Sequence, residues 1–252
     1  GLLDPVGQRR WLIDATPDLR EQLWRMDQAC PPPPAEAAPA LAGILLTHGH
    51  LGHILGLLQL GKEVMGARDL PVYAMPRLTA FLRRNEPWAG LEREGHVRLL
   101  DLEAHRPLVL AADLVATPLP VPHRAEHSET VAFDIRGPRG ALLYLPDLDG
   151  WPQAEAAGLS LAGLLAPVDR AYLDATFYSP AELPGRNLAQ IPHPLVGQTL
   201  EIAAALPHAQ RAKLRLIHLN HSNPLLQPQA PEYRALADLG VALAVEGERF
   251  VL

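Results

Sequence analysis

The chain has 252 residues, 48% apolar and 20% charged, which is enough apolar material for a buried core and is not the balance of a disordered, collagen-like or coiled-coil protein. Its net charge of −6 comes without a basic cluster, so binding to nucleic acid is not expected. Cys30 stands alone and cannot form an internal disulfide, which points to a reducing, cytoplasmic compartment. The opening GLLDPVGQRRWLID lacks the pattern of an export signal, and no apolar run approaches the roughly 20 residues of a membrane span, so no membrane partner is expected. It begins on an apparent strand without an initiator Met, and a missing N-terminal strand is expected ahead of it.

Leu2-Leu3, a turn at Asp4–Gly7 and Trp11–Ile13 predict a hairpin. Thr16-Pro17-Asp18 reads as a helix start with Thr16 as the cap, and the proline run from Pro31 ends that helix. Residues 31–40 are expected to be a proline-rich surface loop. Gly43–Leu46 is a short buried strand, and a helix is expected from about Gly52 to Met65. Pro71–Ala74 is the next strand and Arg77–Arg84 the next helix; Asn85–Gly95 reads as a loop. Strands follow at Val97–Leu100, Leu114–Val121, Thr130–Ile135 and Ala141–Leu145. Leu159–Leu165 is predicted helical, Ala171–Leu173 a strand ending in Asp174, Pro194–Leu206 a helix, Leu214–Leu219 a strand, Pro231–Leu239 a helix and Val241–Val251 a closing hairpin. Strands and helices interleave in both halves, so residues 1–252 are expected to form a single α/β domain of two mixed sheets with helices outside.

Seven of the 11 histidines fall in three short stretches: His48, His50 and His53; His123 and His127; His218 and His221. Most of the chemistry follows predicted strand ends. His48 comes just after Leu46, His123 after Val121, Asp147 after Leu145, Asp174 after Leu173 and His218 after Ile217. Imidazoles and carboxylates at converging strand ends suit one or two divalent metals, zinc foremost, with iron and manganese as alternatives. His48 and His50 alternate along an extended segment and can reach one ion, while His53 at a helix start points to a neighbouring position. His127 and His221 fit either support of the ligands or ordinary polar packing, and Asp174 either a hydrogen bond to a ligand or a direct part in catalysis. His96, His105 and His208 read as surface or hydrogen-bonded residues.

At these residues the sequence resembles the metallo-β-lactamase superfamily, whose pattern is H-x-H-x-D-H followed by a distant His, Asp and His. Within it, LIDATPDLREQL, the TFYS stretch around Phe177, IHLNHSNP around His218 and the ending VEGERF resemble the pyrroloquinoline quinone biosynthesis protein B branch. The resemblance runs along essentially the whole chain. It implies an αββα sandwich with the metal site at the shared edge of its sheets. By that likeness His48, His50 and His123 hold a first metal, His53 and His218 a second, and Asp147 bridges. His193, in IPHP, falls near the place of a histidine used beside the scissile group in phosphodiesterase branches. The sequence departs from the pattern at Gly52, where the superfamily carries an acid. It also keeps a histidine set that the quinone-biosynthesis branch often lacks, and it shows no cysteine-rich N-terminal segment.

The resemblance implies a metal-dependent hydrolase in which metal-activated water attacks an ester or phosphodiester of a small molecule. Asp147 would then orient the water, and His193 or His221 would protonate the leaving group. The alternatives are an iron-dependent oxygenase related to quinone cofactor synthesis, and a non-catalytic protein that keeps its metal for structure. Oligomeric state, including a homo-oligomer, is left open by the sequence.

Overall fold

The structure, a computed structural model, describes residues 1–31, 41–186 and 192–252; most of the expected loop at 31–40 lies outside these residues. The chain divides into two compact units, one of Gly1–Arg106 with Ala125–Thr130, the other of Pro107–Arg124 with Val131–Leu252.

The first unit is built on a five-stranded sheet: β1 (Leu2–Asp4), β2 (Arg9–Ile13), β3 (Gly43–Leu45), β4 (Leu70–Ala74) and β5 (Val97–Asp101), in that order. β1 and β2 form the predicted antiparallel hairpin, and β2 to β5 run parallel. Such strands carry near-continuous apolar runs because both faces are covered; Ile44, Leu45 and Leu46 are fully buried. Helix α1 (Leu19–Ala29) begins after Asp18, two residues later than expected. Thr16 is not its cap: its Oγ1 accepts from Asp18 N and from Gln22 Nε2, which fastens the approach to the helix.

A second correction falls on the helix expected at 52–65. It is only α2 (Leu51–Ile54), followed by a 3₁₀ segment, Leu55–Leu60. Gly56 lies against the backbone after β2, with its N–H donating to Ala15 O at 2.8 Å, and this approach draws the chain out of α-helical register. α3 (Pro76–Arg84) forms as predicted, while α4 (Trp88–Arg93) occupies the stretch expected to be a loop.

The second unit is built on a seven-stranded sheet, ordered β12-β11-β10-β9-β8-β7-β6. Its strands are β6 (Leu108–Ala111), β7 (Leu114–Pro120), β8 (Val131–Arg136), β9 (Ala141–Leu145), β10 (Arg170–Asp174), β11 (Leu214–Ile217) and β12 (Ala242–Leu243). β9 to β12 are parallel and β6 to β9 antiparallel. β7, β9, β10 and β11 therefore all point their C-terminal ends to one edge. The helices are α5 (Trp151–Ala156), α6 (Leu161–Leu165), α7 (Val196–Ala204), α8 (His208–Arg211) and α9 (Pro231–Leu239). Trp151 Nε1 donates to Thr199 Oγ1 at 2.9 Å, locking α5 to α7 inside an apolar core that includes Leu145, Leu173, Leu200 and Leu216.

The closing hairpin does not form. Only Ala242–Leu243 pairs, parallel to β11, because the following residues are drawn to the sheet by charge: Glu248 binds Arg170 and Arg215, and Arg170 lies over the Phe250 ring. Both sheets are mixed and flanked by helices, the fold class expected. No helix among the described residues is long and apolar enough to cross a membrane.

Candidate metal centre

In the first unit the neighbouring C-terminal ends of β2 and β3 bring Asp14 beside Thr47 and His48. Asp14 is 1% exposed and has φ +61°, a left-handed conformation that non-glycine residues seldom hold. Its Oδ1 accepts from Thr47 N at 2.8 Å and from Thr47 Oγ1 at 2.9 Å, and its Oδ2 lies 2.8 Å from His53 Nδ1. Thr47 Oγ1 in turn lies 3.0 Å from His48 Nδ1. With Nδ1 engaged in this way, His48 and His53 each present Nε2, the arrangement by which outer partners fix the tautomer and aim of a ligand imidazole. The rings of His48 and His53 lie 4.2 Å apart. His50 is turned the other way. Its Nε2 faces Glu126 at 3.4 Å, and its Nδ1 lies 2.8 Å from His48 Nε2.

In the second unit the shared strand edge gathers His123, Asp147, Asp174 and His218. Asp147 is 2% exposed and directs one oxygen to each of two imidazoles: Oδ1 lies 3.4 Å from His123 Nε2 and Oδ2 3.5 Å from His218 Nε2. These are long for hydrogen bonds. They match the spacing of about 3.3–3.4 Å between two ligand atoms that share a tetrahedral zinc at 2.0–2.1 Å. His123 Nδ1 is backed by Asp149 at 3.3 Å, and His218 Nδ1 by Thr176 Oγ1 at 2.8 Å. His218, like Asp14, holds a left-handed φ, +63°. Asp174, fully buried, accepts from Leu148 N, Thr176 N and Thr176 Oγ1, and its Oδ2 lies 2.8 Å from His193 Nδ1. Burial works against a charged His193. The hydrogen bond and charge of Asp174, with a further push from Asp147, overcome both that and the opposing field of Arg124, holding the imidazole above its ordinary pKa.

The donor chemistry of these imidazoles and carboxylates fits a divalent metal. The first unit supplies neutral imidazoles steered by Asp14 and Thr47, and the second supplies two imidazoles on opposite oxygens of one buried carboxylate. In the first unit an ion between His48 and His50 would spread their nitrogens by about half an ångström from the 2.8 Å observed. Gly52 brings no donor, and among the described residues nothing lies within 4 Å of where its Cβ would stand.

His221 is exposed on the turn after β11 and lines a cleft with His193. His127 stacks on Phe81, with ring centroids 4.9 Å apart, and His96 Nδ1 donates to Ala67 O at 2.9 Å. The supporting residues Asp14, Thr47, Asp149 and Thr176 went unnoticed in the sequence. Asp14 and Asp149 carried a usable signal, since each is an acid just beyond a strand or beside an acid already singled out. Thr47 and Thr176 carried none.

Residues 9–219 match the model of the β-lactamase superfamily domain, and the chain belongs to that family. Within it, the chain is similar along nearly its whole length to coenzyme PQQ synthesis protein B of Methylococcus capsulatus, 27% identical over 98% of this chain and 84% of that one. Among solved structures, zinc-bound PqqB from Methylobacterium extorquens superposes with a TM-score of 0.76 at 22% identity, covering 99% of this chain and 86% of that one. A diphosphatase of the PhnP family follows at 0.58 and 24% identity, covering 92% and 76%. The fold and branch therefore agree with the resemblance carried by the histidine motifs.

Proposed function

We propose that the protein is a metal-dependent hydrolase acting on an ester or phosphodiester of a small molecule. The observation that carries this reading is Asp147, a buried carboxylate with one oxygen toward His123 Nε2 and the other toward His218 Nε2. By the family pattern, His48, His50 and His123 would hold one metal and His53 and His218 a second, with Asp147 as a ligand common to both. Zinc is the first choice on this donor set. Bound there, a metal would supply Lewis acidity and would lower the pKa of coordinated water toward neutrality. Asp147 orients the attacking water. His193 keeps one proton on Nδ1, directed to Asp174, and delivers another from Nε2 to the departing oxygen, with its raised pKa favouring the protonated ring. His221, on the same cleft, is the alternative donor. Buried free Cys30 accords with a reducing, cytoplasmic setting.

The test is turnover by the zinc-loaded chain on phosphodiester, thioester and lactone panels, beside His48→Ala. Hydrolysis that His48→Ala abolishes is expected, and a metal-loaded protein inert across all three panels overturns the reading.

A second reading, an iron-dependent oxygenase of quinone cofactor synthesis, draws on the similarity to coenzyme PQQ synthesis protein B together with the missing acid at Gly52. One redox metal with open positions suits histidine and carboxylate ligands equally well. It predicts dioxygen uptake in step with substrate loss by the iron-loaded chain. Activity with zinc that is unchanged under strict anaerobiosis would end it.

A further inference from the structure

In the second unit, a cleft of about 600 Å³ opens beside His193. Its charged lining is Arg124, Arg186 and Glu182, and the turn Asn220-His221-Ser222 forms one wall. Glu182 is turned into the protein's own donors. Its Oε1 accepts from the N–H groups of Tyr178 and Ser179, and its Oε2 accepts from Ser222 Oγ at 2.9 Å. Ser222 Oγ also accepts from Asn220 Nδ2 at 2.7 Å, so the wall and the Glu182 turn are tied into one rigid unit. Arg124 and Arg186 bring two guanidinium groups to the cleft.

Both arginines are exposed at this surface of a chain whose net charge is −6. A locally cationic concavity in an acidic protein concentrates anions while the remaining surface repels them. Guanidinium is always charged and offers paired N–H donors that match a carboxylate or phosphate in two parallel bonds. Arg124 and His193 line the same cleft, so an anion held by Arg124 would be seated beside that imidazole.

We propose that Arg124 and Arg186 form a binding subsite for an anionic group, carboxylate or phosphate, on the small-molecule substrate. The subsite positions that group so that the substrate's reacting end lies toward His193. This inference rests on the hydrolytic reading for the identity of its ligand as substrate, but anion binding itself does not require turnover.

The test is calorimetric titration of the metal-loaded chain with inorganic phosphate and, separately, with succinate. The variants are Arg186→Gln, Arg124→Gln and Arg186→Lys, each also made on a His48→Ala background. The expected result is a loss of affinity of about tenfold or more in either Gln variant, partly recovered by Arg186→Lys and of the same size with His48→Ala. Tighter binding of phosphate would mark a phosphoryl substrate, and tighter binding of succinate a carboxylate one. Affinity indifferent to both arginines, or no saturable binding of either anion below about 10 mM, overturns the subsite. An arginine-dependent anion site in a chain inert on every hydrolase panel would remove the hydrolytic reading and leave the subsite standing. Turnover with arginine-independent anion binding would do the reverse.

Discussion

Asp174 gathers Leu148 N, both donors of Thr176 and His193 around one fully buried carboxylate. Asp174→Asn keeps the shape but turns a donor toward groups that are themselves donors, leaving buried N–H or O–H groups without an acceptor. The expected cost is about 2–4 kcal/mol, read from denaturant melts. The same change deprives His193 of the partner that fixes its Nδ1 proton. On the hydrolytic reading kcat falls by about a hundredfold or more while KM moves little, and a kcat near wild type would remove His193 from proton transfer. Gly52 allows the opposite kind of experiment. Its Cβ position is open and its φ is not left-handed, so Gly52→Asp fits without strain. It restores the acid of the superfamily pattern, and metal retained per chain after dialysis is expected to rise. Unchanged metal content would count against a second site at His53 and His218.

At the scale of elements, local pattern was a good guide wherever a long apolar run decided the outcome, and a poor one where a distant partner did. The strands that end in His48, Asp147, Asp174 and His218 were legible because an apolar run stops abruptly at a polar, metal-capable residue. Their supports were not, since Asp14 reaches Thr47 and His53 across 33 and 39 residues of chain. The segment after His53 has helical spacing, yet the backbone of Gly56 is pressed against Ala15 and Thr16. An added Cβ would stand 2.1 Å from Thr16 O and 2.8 Å from Ala15 O. Gly56→Ala must therefore push this turn off the loop that carries Asp14, at an expected cost of about 2–3 kcal/mol. Impaired metal retention should accompany it, through the Asp14–His53 pair. α4 was missed because its six residues are held by tertiary bonds: Glu92 accepts from Arg83 and from Leu99 N, tying α4 to α3 and β5. The Arg83 hydrogen bond, outweighing partial burial and joined by the Leu99 N–H, lowers the Glu92 pKa. A lowered folded-state pKa gives stability that is present above the unfolded value, about 4.3, and is lost as pH falls through the folded one. Glu92→Gln is expected to cost about 1 kcal/mol at neutral pH, with Arg83 partly exposed, and the gap to wild type should close in acid melts.

For the molecule as a whole, each unit carries its own apolar core, so neither sheet needs a metal to exist. What the proposed ligand set adds is linkage. Its donors come from positions as distant in sequence as His48, His123 and His218, and they can act together only in the folded chain, so metal affinity becomes folding free energy. Zinc at a hundredfold excess over its dissociation constant stabilises a protein by about 2.7 kcal/mol. In a chain of this length that corresponds to a rise in melting temperature of roughly 5–11 °C. Thermal melts with zinc and with chelator should differ by that amount, and by far less for His48→Ala and for Asp147→Asn. Both variants must be tested because they probe different units. A gap that survives in His48→Ala but closes in Asp147→Asn would place the stabilising ion on the second unit alone. Equal loss in both is what shared ligation requires. Chelation that strips the metal without moving the melt would mean these residues bind it without preferring the folded state, which a preformed and buried carboxylate such as Asp147 should not allow.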